Sequence, residues 1–126
     1  MKEPAKILIV DDEKDTRELF STVLAGEGYR VTVAENGESA LSLFRHENFD
    51  LVITDLKMPV SDGLQLLRDI RRTGSSVDVI TATGYGEMDS YVAAMSLGAV
   101  EYIHKPIHLK ELKKVVHQVL KKKNRH

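Results

Sequence analysis

Ile7-Leu8-Ile9-Val10-Asp11-Asp12-Glu13 sets four consecutive aliphatic residues directly against three acids. A continuous apolar run of strand length suits a strand buried on both faces. The acids mark where it leaves the core. Runs of the same length recur at Val31 to Ala34, Leu51 to Thr54, Val79 to Ala82 and Val100 to Ile103. Between them, apolar residues fall at helical spacing, as in Leu19, Phe20, Val23, Leu24 and again Leu64, Leu67, Ile70.

Strict strand–helix alternation predicts an α/β fold with a five-stranded parallel sheet, covered on both faces by right-handed crossovers. Val31-Thr32-Val33 alternates instead of running apolar, which predicts an edge strand. Asn36 is placed to cap the second helix, and Asp62 with Gln65 gives the third a capping-box start. Gly28, Gly74 and Gly98 fall where helices should stop. The last helix carries the stripe Leu109, Leu112, Val115, Val116, Val119, Leu120, opposite Lys110, Lys113, Lys114 and Lys121.

A chain of 126 residues predicts one domain over 1–126, with 1–5 as a short N-terminal arm and 121–126 as a basic tail that ends the chain or begins a linker. Lys plus Arg total 18 against 19 Asp plus Glu, so net charge gives no case for direct nucleic-acid binding. There are no cysteines, hence no disulfide framework or thiolate metal site. No apolar run approaches the roughly 20 residues of a membrane span. The first residues have no signal-peptide core, so a cytoplasmic location is the default expectation.

In parallel sheets, ligands bind beyond the carboxyl ends of the strands. Asp11, Asp12 and Glu13 follow the first run, Asp55 the third, Thr83 the fourth, and Lys105-Pro106 the fifth. If the first and third strands are neighbours, Asp11, Asp12 and Asp55 converge and repel one another unless a cation intervenes. Carboxylates suit Mg2+, whereas Zn2+ prefers His or Cys. His46, His104, His108, His117 and His126 show no such spacing. Lys105 adds fixed positive charge and Thr83 a hydroxyl donor, both suited to phosphoryl oxygens. Asp can act as a nucleophile toward phosphorus. Taken singly, each acid reads as a turn residue or cap and Lys105 as a surface lysine. Only their combination points to phosphoryl chemistry.

Together these pieces resemble the response-regulator receiver domain of two-component signalling, the CheY-like family. They are Ile7 to Glu13, Asp55-Leu56-Lys57-Met58-Pro59 with Asp62-Gly63, Thr83-Gly84 and Lys105-Pro106. The resemblance implies a flavodoxin-like doubly wound sheet of order 2-1-3-4-5. It makes Asp55 the phospho-acceptor, with Mg2+ held by Asp12, Asp55 and the Lys57 backbone carbonyl, and Asp11 holding metal-bound water. Lys105 would pair with Asp55 and then with the phosphoryl group. Pro106 would follow a cis peptide bond, and Thr83 and Tyr102 would be the switch pair. The donor would be a histidine kinase or phosphotransfer protein.

Such a domain catalyses its own phosphorylation and dephosphorylation without being a conventional turnover enzyme. Its output would be a protein contact or a homodimer through the face of the fourth helix, fifth strand and fifth helix, since the chain ends soon after that helix. Asp78, where the family often has Pro, and Thr81, inside an otherwise apolar strand, depart from the pattern without touching the chemistry. Two rivals are a binding module that never carries phosphate and a phosphohydrolase with an Asp nucleophile. The intact set Asp11, Asp12, Asp55, Thr83 and Lys105 argues against the first. The second normally needs a cap or insertion for which 126 residues leave little room.

In receivers, the residues two after the acceptor and two after the switch Thr flank the hydrolytic water; here they are Lys57 and Tyr85. Both are bulky, and they are expected to narrow the path of water and lengthen the phosphoryl lifetime. Lys57→Ala and Tyr85→Ala should each shorten the acyl-phosphate half-life, followed as loss of the phosphorylated mass. Unchanged half-lives in both would leave those side chains in solvent.

Overall fold

The computed structural model describes residues 3–56, 63–83 and 88–123. The elements alternate: β1 (Lys6–Val10), α1 (Lys14–Gly26), β2 (Arg30–Ala34), α2 (Gly37–His46), β3 (Leu51–Asp55), α3 (Gly63–Arg72), β4 (Asp78–Thr83), α4 (Met88–Ser96), β5 (Glu101–His104) and α5 (Leu109–Lys123). All pairings are parallel, in the order β2-β1-β3-β4-β5. β3 is buried throughout and β1 nearly so, as their unbroken apolar runs require, while β2 lies half-exposed at one edge.

Side-chain alternation along the strands builds two cores. On one face Leu8, Val10, Val52 and Val79 pack with Leu66, Leu67 and Ile70 of α3 and Ala94 of α4. On the other, Ile7, Ile9, Ile53, Ile80 and Ile103 pack with Phe20 and Leu24 of α1 and Leu112, Val116 and Leu120 of α5. The α5 lysines Lys110, Lys113, Lys114 and Lys121 all face solvent. α5 runs on through Lys123, so residues 121–123 form its last turn.

Local signals act where expected. Asn36 Oδ1 accepts from the Ser39 N–H at 2.8 Å, capping α2. Gly28, Gly74 and Gly98 take φ of 95°, 89° and 85°, the left-handed conformation that ends a helix without the clash a Cβ would bring. Asp62 lies outside the described residues.

Strand ends differ from the apolar runs because the ladder is made by backbone. Asp55 pairs with Ala82 and Thr83 with His104, so both polar residues are the last of their strands rather than the first beyond them. β5 begins at Glu101, one residue later than its apolar run, although the Val100 N–H still donates to Val79 O at 2.9 Å. Thr81 is tolerated in the buried β4 because its hydroxyl donates to Glu101 O at 3.4 Å.

Arg71, at the end of α3, fixes the far end of α4. Its Nε donates to Leu97 O at 2.8 Å and Nη2 to Gly98 O at 3.3 Å. Nη1 reaches Val77 O at 2.8 Å and Ser75 O at 3.2 Å. One guanidinium thus ties the turn before β4 to the turn before β5. Charged hydrogen bonds contribute about 1.5–3 kcal/mol each, less where water can substitute. Arg71→Ala should therefore lower stability by about 2–3 kcal/mol, seen as a lower urea midpoint at constant m-value. Arg71→Lys should recover only part, because an ammonium lacks the planar fork that spans both turns.

Candidate functional site

The site sits at the carboxyl end of the sheet, where β1 and β3 lie side by side. Val10 pairs with Thr54, so the next residues, Asp11 and Asp55, emerge together. Both are buried, at 3% and 6% exposure, whereas Asp12 faces solvent. Carboxylate oxygens of Asp11, Asp12 and Asp55 come within 4.8 Å of one another.

Lys105 follows β5, and its flexible stem reaches past the end of β4 to this cluster. Its Nζ donates to Asp55 Oδ2 at 2.7 Å and to Asp11 Oδ2 at 3.3 Å. Burial lowers the Lys105 pKa, but the hydrogen bonds and charges of Asp55 and Asp11 outweigh it and hold the group above the ordinary lysine value of 10.5. A raised pKa means that the pairing stabilises the fold fully below 10.5 and is lost only as pH climbs through the higher folded value. Lys105 is therefore cationic at any neutral pH. The Lys105–Pro106 peptide is cis.

Among the described residues, three carboxylates face one ammonium in a half-buried space. The donor set is all oxygen, with Asp12 open to water, and this fits a hard dication such as Mg2+, which keeps several waters. Asp11, Asp12 and Asp55 are the side chains that would hold it. Lys57, expected to add its backbone carbonyl, and Tyr85 lie outside the described residues.

Thr83 ends β4 beside His104 of β5, two strands from Asp11. Tyr102 is half-buried against the α3–α4 core, its ring edge-on to Tyr91 of α4 with centroids 4.8 Å apart. The carboxyl ends therefore bring Asp11, Asp12, Asp55 and Lys105 together, while Tyr102 stands apart on the α4 side. A separate groove lined by Ser75, Asp78, Glu101 and Lys122 opens at the opposite, amino ends of β4 and β5.

Supporting residues emerge that the sequence did not single out. Asp11 Oδ1 accepts from the Glu13 N–H at 2.9 Å, and Arg17 Nη1 donates to the Asp11 carbonyl at 2.8 Å. The loop that carries the acids is thus pinned at Asp11 through both its side chain and its carbonyl. Gly63 opens α3 against the acceptor strand: a Cβ there would run into the Asp55 carbonyl oxygen and come within 2.8 Å of Thr54 Oγ1. Only glycine lets α3 start so close. Arg17 is visible in sequence only as one more helical arginine, and Gly63, although part of the Asp62-Gly63 piece of the resemblance, carries no structural role there.

The profile of the response regulator receiver domain family matches residues 7–117. The regulatory protein AtoC of Escherichia coli strain K12 is 39% identical over 91% of the chain. The probable transcriptional regulator ycf27 of Guillardia theta is 40% identical over 95% of it. The chain spans 25% of the first and 47% of the second. Among solved structures, a response regulator receiver domain protein from Clostridium thermocellum superposes with a TM-score of 0.88 at 34% identity, covering 95% of this chain and 97% of that one. A CheY-like receiver domain protein from Methanospirillum hungatei JF-1 gives 0.88 at 28% identity, covering 98% and 99%.

If the carboxylate cluster is the cation site, Lys105 competes with the dication for the same oxygens. Lys105→Met should then tighten Mg2+ binding by roughly three- to tenfold, since one opposing charge is removed at close range. Asp12→Asn should weaken it by at least as much. Titration calorimetry with magnesium chloride reads both, and affinities equal to wild type in both variants would move the cation elsewhere.

Proposed function

The chain belongs to the response regulator receiver domain family, and from that premise we propose that it accepts a phosphoryl group on Asp55 from the phosphohistidine of a kinase or phosphotransfer protein. The observation that carries this reading is the buried Asp55 carboxylate, 2.7 Å from the Lys105 ammonium and within 4.8 Å of two further carboxylates. A carboxylate oxygen of Asp55 attacks phosphorus, the bond from phosphorus to the donor nitrogen breaks, and its electron pair returns to the imidazole. Lys105, already beside Asp55, neutralises charge on the phosphoryl oxygens as they arrive. Asp12, Asp55 and the Lys57 carbonyl would hold Mg2+, with Asp11 holding metal-bound water, and the cation would supply further positive charge for those oxygens. Attack of water on phosphorus releases phosphate and restores the Asp55 carboxylate, with Lys57 and Tyr85 setting the pace.

Thr83 and Tyr102 act as the switch pair, shifting the population of the α4–β5–α5 face between two arrangements. Exposed Tyr91, Val92 and Met95 on α4, with Val100 just after it, favour a protein partner or a second copy at that face. The domain itself contacts no nucleic acid and acts in the cytoplasm. No described helix is long and apolar enough to cross a membrane.

Incubation with acetyl phosphate and magnesium chloride should add one phosphoryl group to the intact mass, and Asp55→Ala should take up none. Labelling of Asp55→Ala would move the acceptor. A wild-type chain left unlabelled by both acetyl phosphate and a cognate kinase would favour a binding module that never carries phosphate.

A further inference from the structure

We propose that Tyr91 and His104 are positioning residues that brace the Tyr102 ring, one from α4 and one from its own strand, and so set how far the switch is thrown before any phosphate arrives; this rests on Tyr102 being the switch aromatic.

The arrangement follows from strand geometry. In β5, Ile103 faces the α1–α5 core, so Tyr102 and His104, its neighbours on either side, share the opposite face toward α4. The imidazole of His104 lies edge-on to Tyr102, with centroids 5.1 Å apart and planes at 72°. From α4, Tyr91 meets the same phenol ring at 4.8 Å and 87°. Both angles are those at which the positive edge of one ring meets the negative face of another. Tyr102 therefore has two specific aromatic contacts as well as its packing against the core.

His104 is also the backbone neighbour of Thr83 in the β4–β5 ladder. One residue thus touches the ring of one switch member and lies beside the backbone of the other. Tyr91 is held in turn because Arg71 fixes the carboxyl end of α4 through Leu97 O and the turn beyond through Gly98 O. The brace is a chain of contacts from the end of α3, through α4, to the switch ring.

Each edge-to-face pair biases a two-state equilibrium by about two- to tenfold. Removing either partner should raise the minor position of the Tyr102 ring by that factor without phosphate. Tyr91 and His104 are both exposed, so their truncation leaves the two cores intact.

The test uses the full chain with 3-fluorotyrosine at position 102 and fluorine NMR, with and without acetyl phosphate and magnesium chloride. Tyr91→Ala and His104→Ala are each expected to raise about two- to tenfold the fraction of the unphosphorylated chain whose signal lies at the phosphorylated position. Tyr91→Phe and His104→Phe, which keep a ring, should stay near wild type. If both alanine variants match wild type without phosphate while wild type still responds to acetyl phosphate, the brace is overturned and the receiver reading stands. A phosphorylated wild type whose signal does not move overturns Tyr102 as the switch, and the brace with it. Equal shifts in the alanine and phenylalanine variants would also overturn the brace, since phenylalanine keeps the ring that makes the edge-on contact.

Discussion

Hydrogen bonding between β1 and β3 forces two carboxylates together, and much of the molecule follows from managing that charge. Parallel pairing of Val10 with Thr54 leaves Asp11 and Asp55 no separate exits from the sheet. Buried carboxylates are tolerated only when paired or hydrogen-bonded. Lys105 pairs with both, the Glu13 N–H satisfies another oxygen of Asp11, and Arg17 holds the loop by its carbonyl. Gly63 lets α3 close against the Asp55 backbone. The site is therefore made by the sheet and held by groups that arrive from three other segments of the chain.

How much of this a sequence reveals depends on the range of the interaction. The strands and the parallel sheet were legible because unbroken aliphatic runs and strict alternation with helices leave few arrangements, while the strand order came from the family resemblance. The Asn36 cap and the helix-ending glycines were legible because they act on their own neighbours. Asp11, Asp12, Asp55 and Lys105 stood out because each follows an apolar run at the end where such sheets bind ligands. Arg71, Arg17 and the Tyr91–Tyr102–His104 contacts did not, since each joins residues whose proximity exists only once the fold is made. Lys57 and Tyr85, read from family resemblance, lie outside the described residues and remain a proposal about rate.

The two sides of the sheet divide the work. Residues 90–100, covering most of α4 and the turn after it, contain no charged side chain, and Tyr91, Val92 and Met95 are exposed there. α5, in contrast, carries six lysines and one glutamate. α4 is held at its carboxyl end by Arg71, through Leu97 O and Gly98 O, and leaves apolar side chains to solvent along its length. A lysine-rich helix whose apolar stripe is locked between Leu112 and Leu120 is suited to stay where it is.

Charge distribution also constrains the order of events at Asp55. The whole chain has a net charge of −1, but α5 alone contributes +5 from its lysines and Glu111. The rest of the chain therefore carries −6. An incoming phosphoryl group is anionic, and it meets three carboxylates and one ammonium at the end of β1 and β3. That excess repels the donor as strongly as it attracts a cation. In the proposed reaction, added positive charge at Asp55 would have to offset that excess before an anionic group could approach. Lys105, tied to two carboxylates, cannot reverse it alone. The same crowding that makes the acids expensive to bury is what makes the cluster a place for a cation.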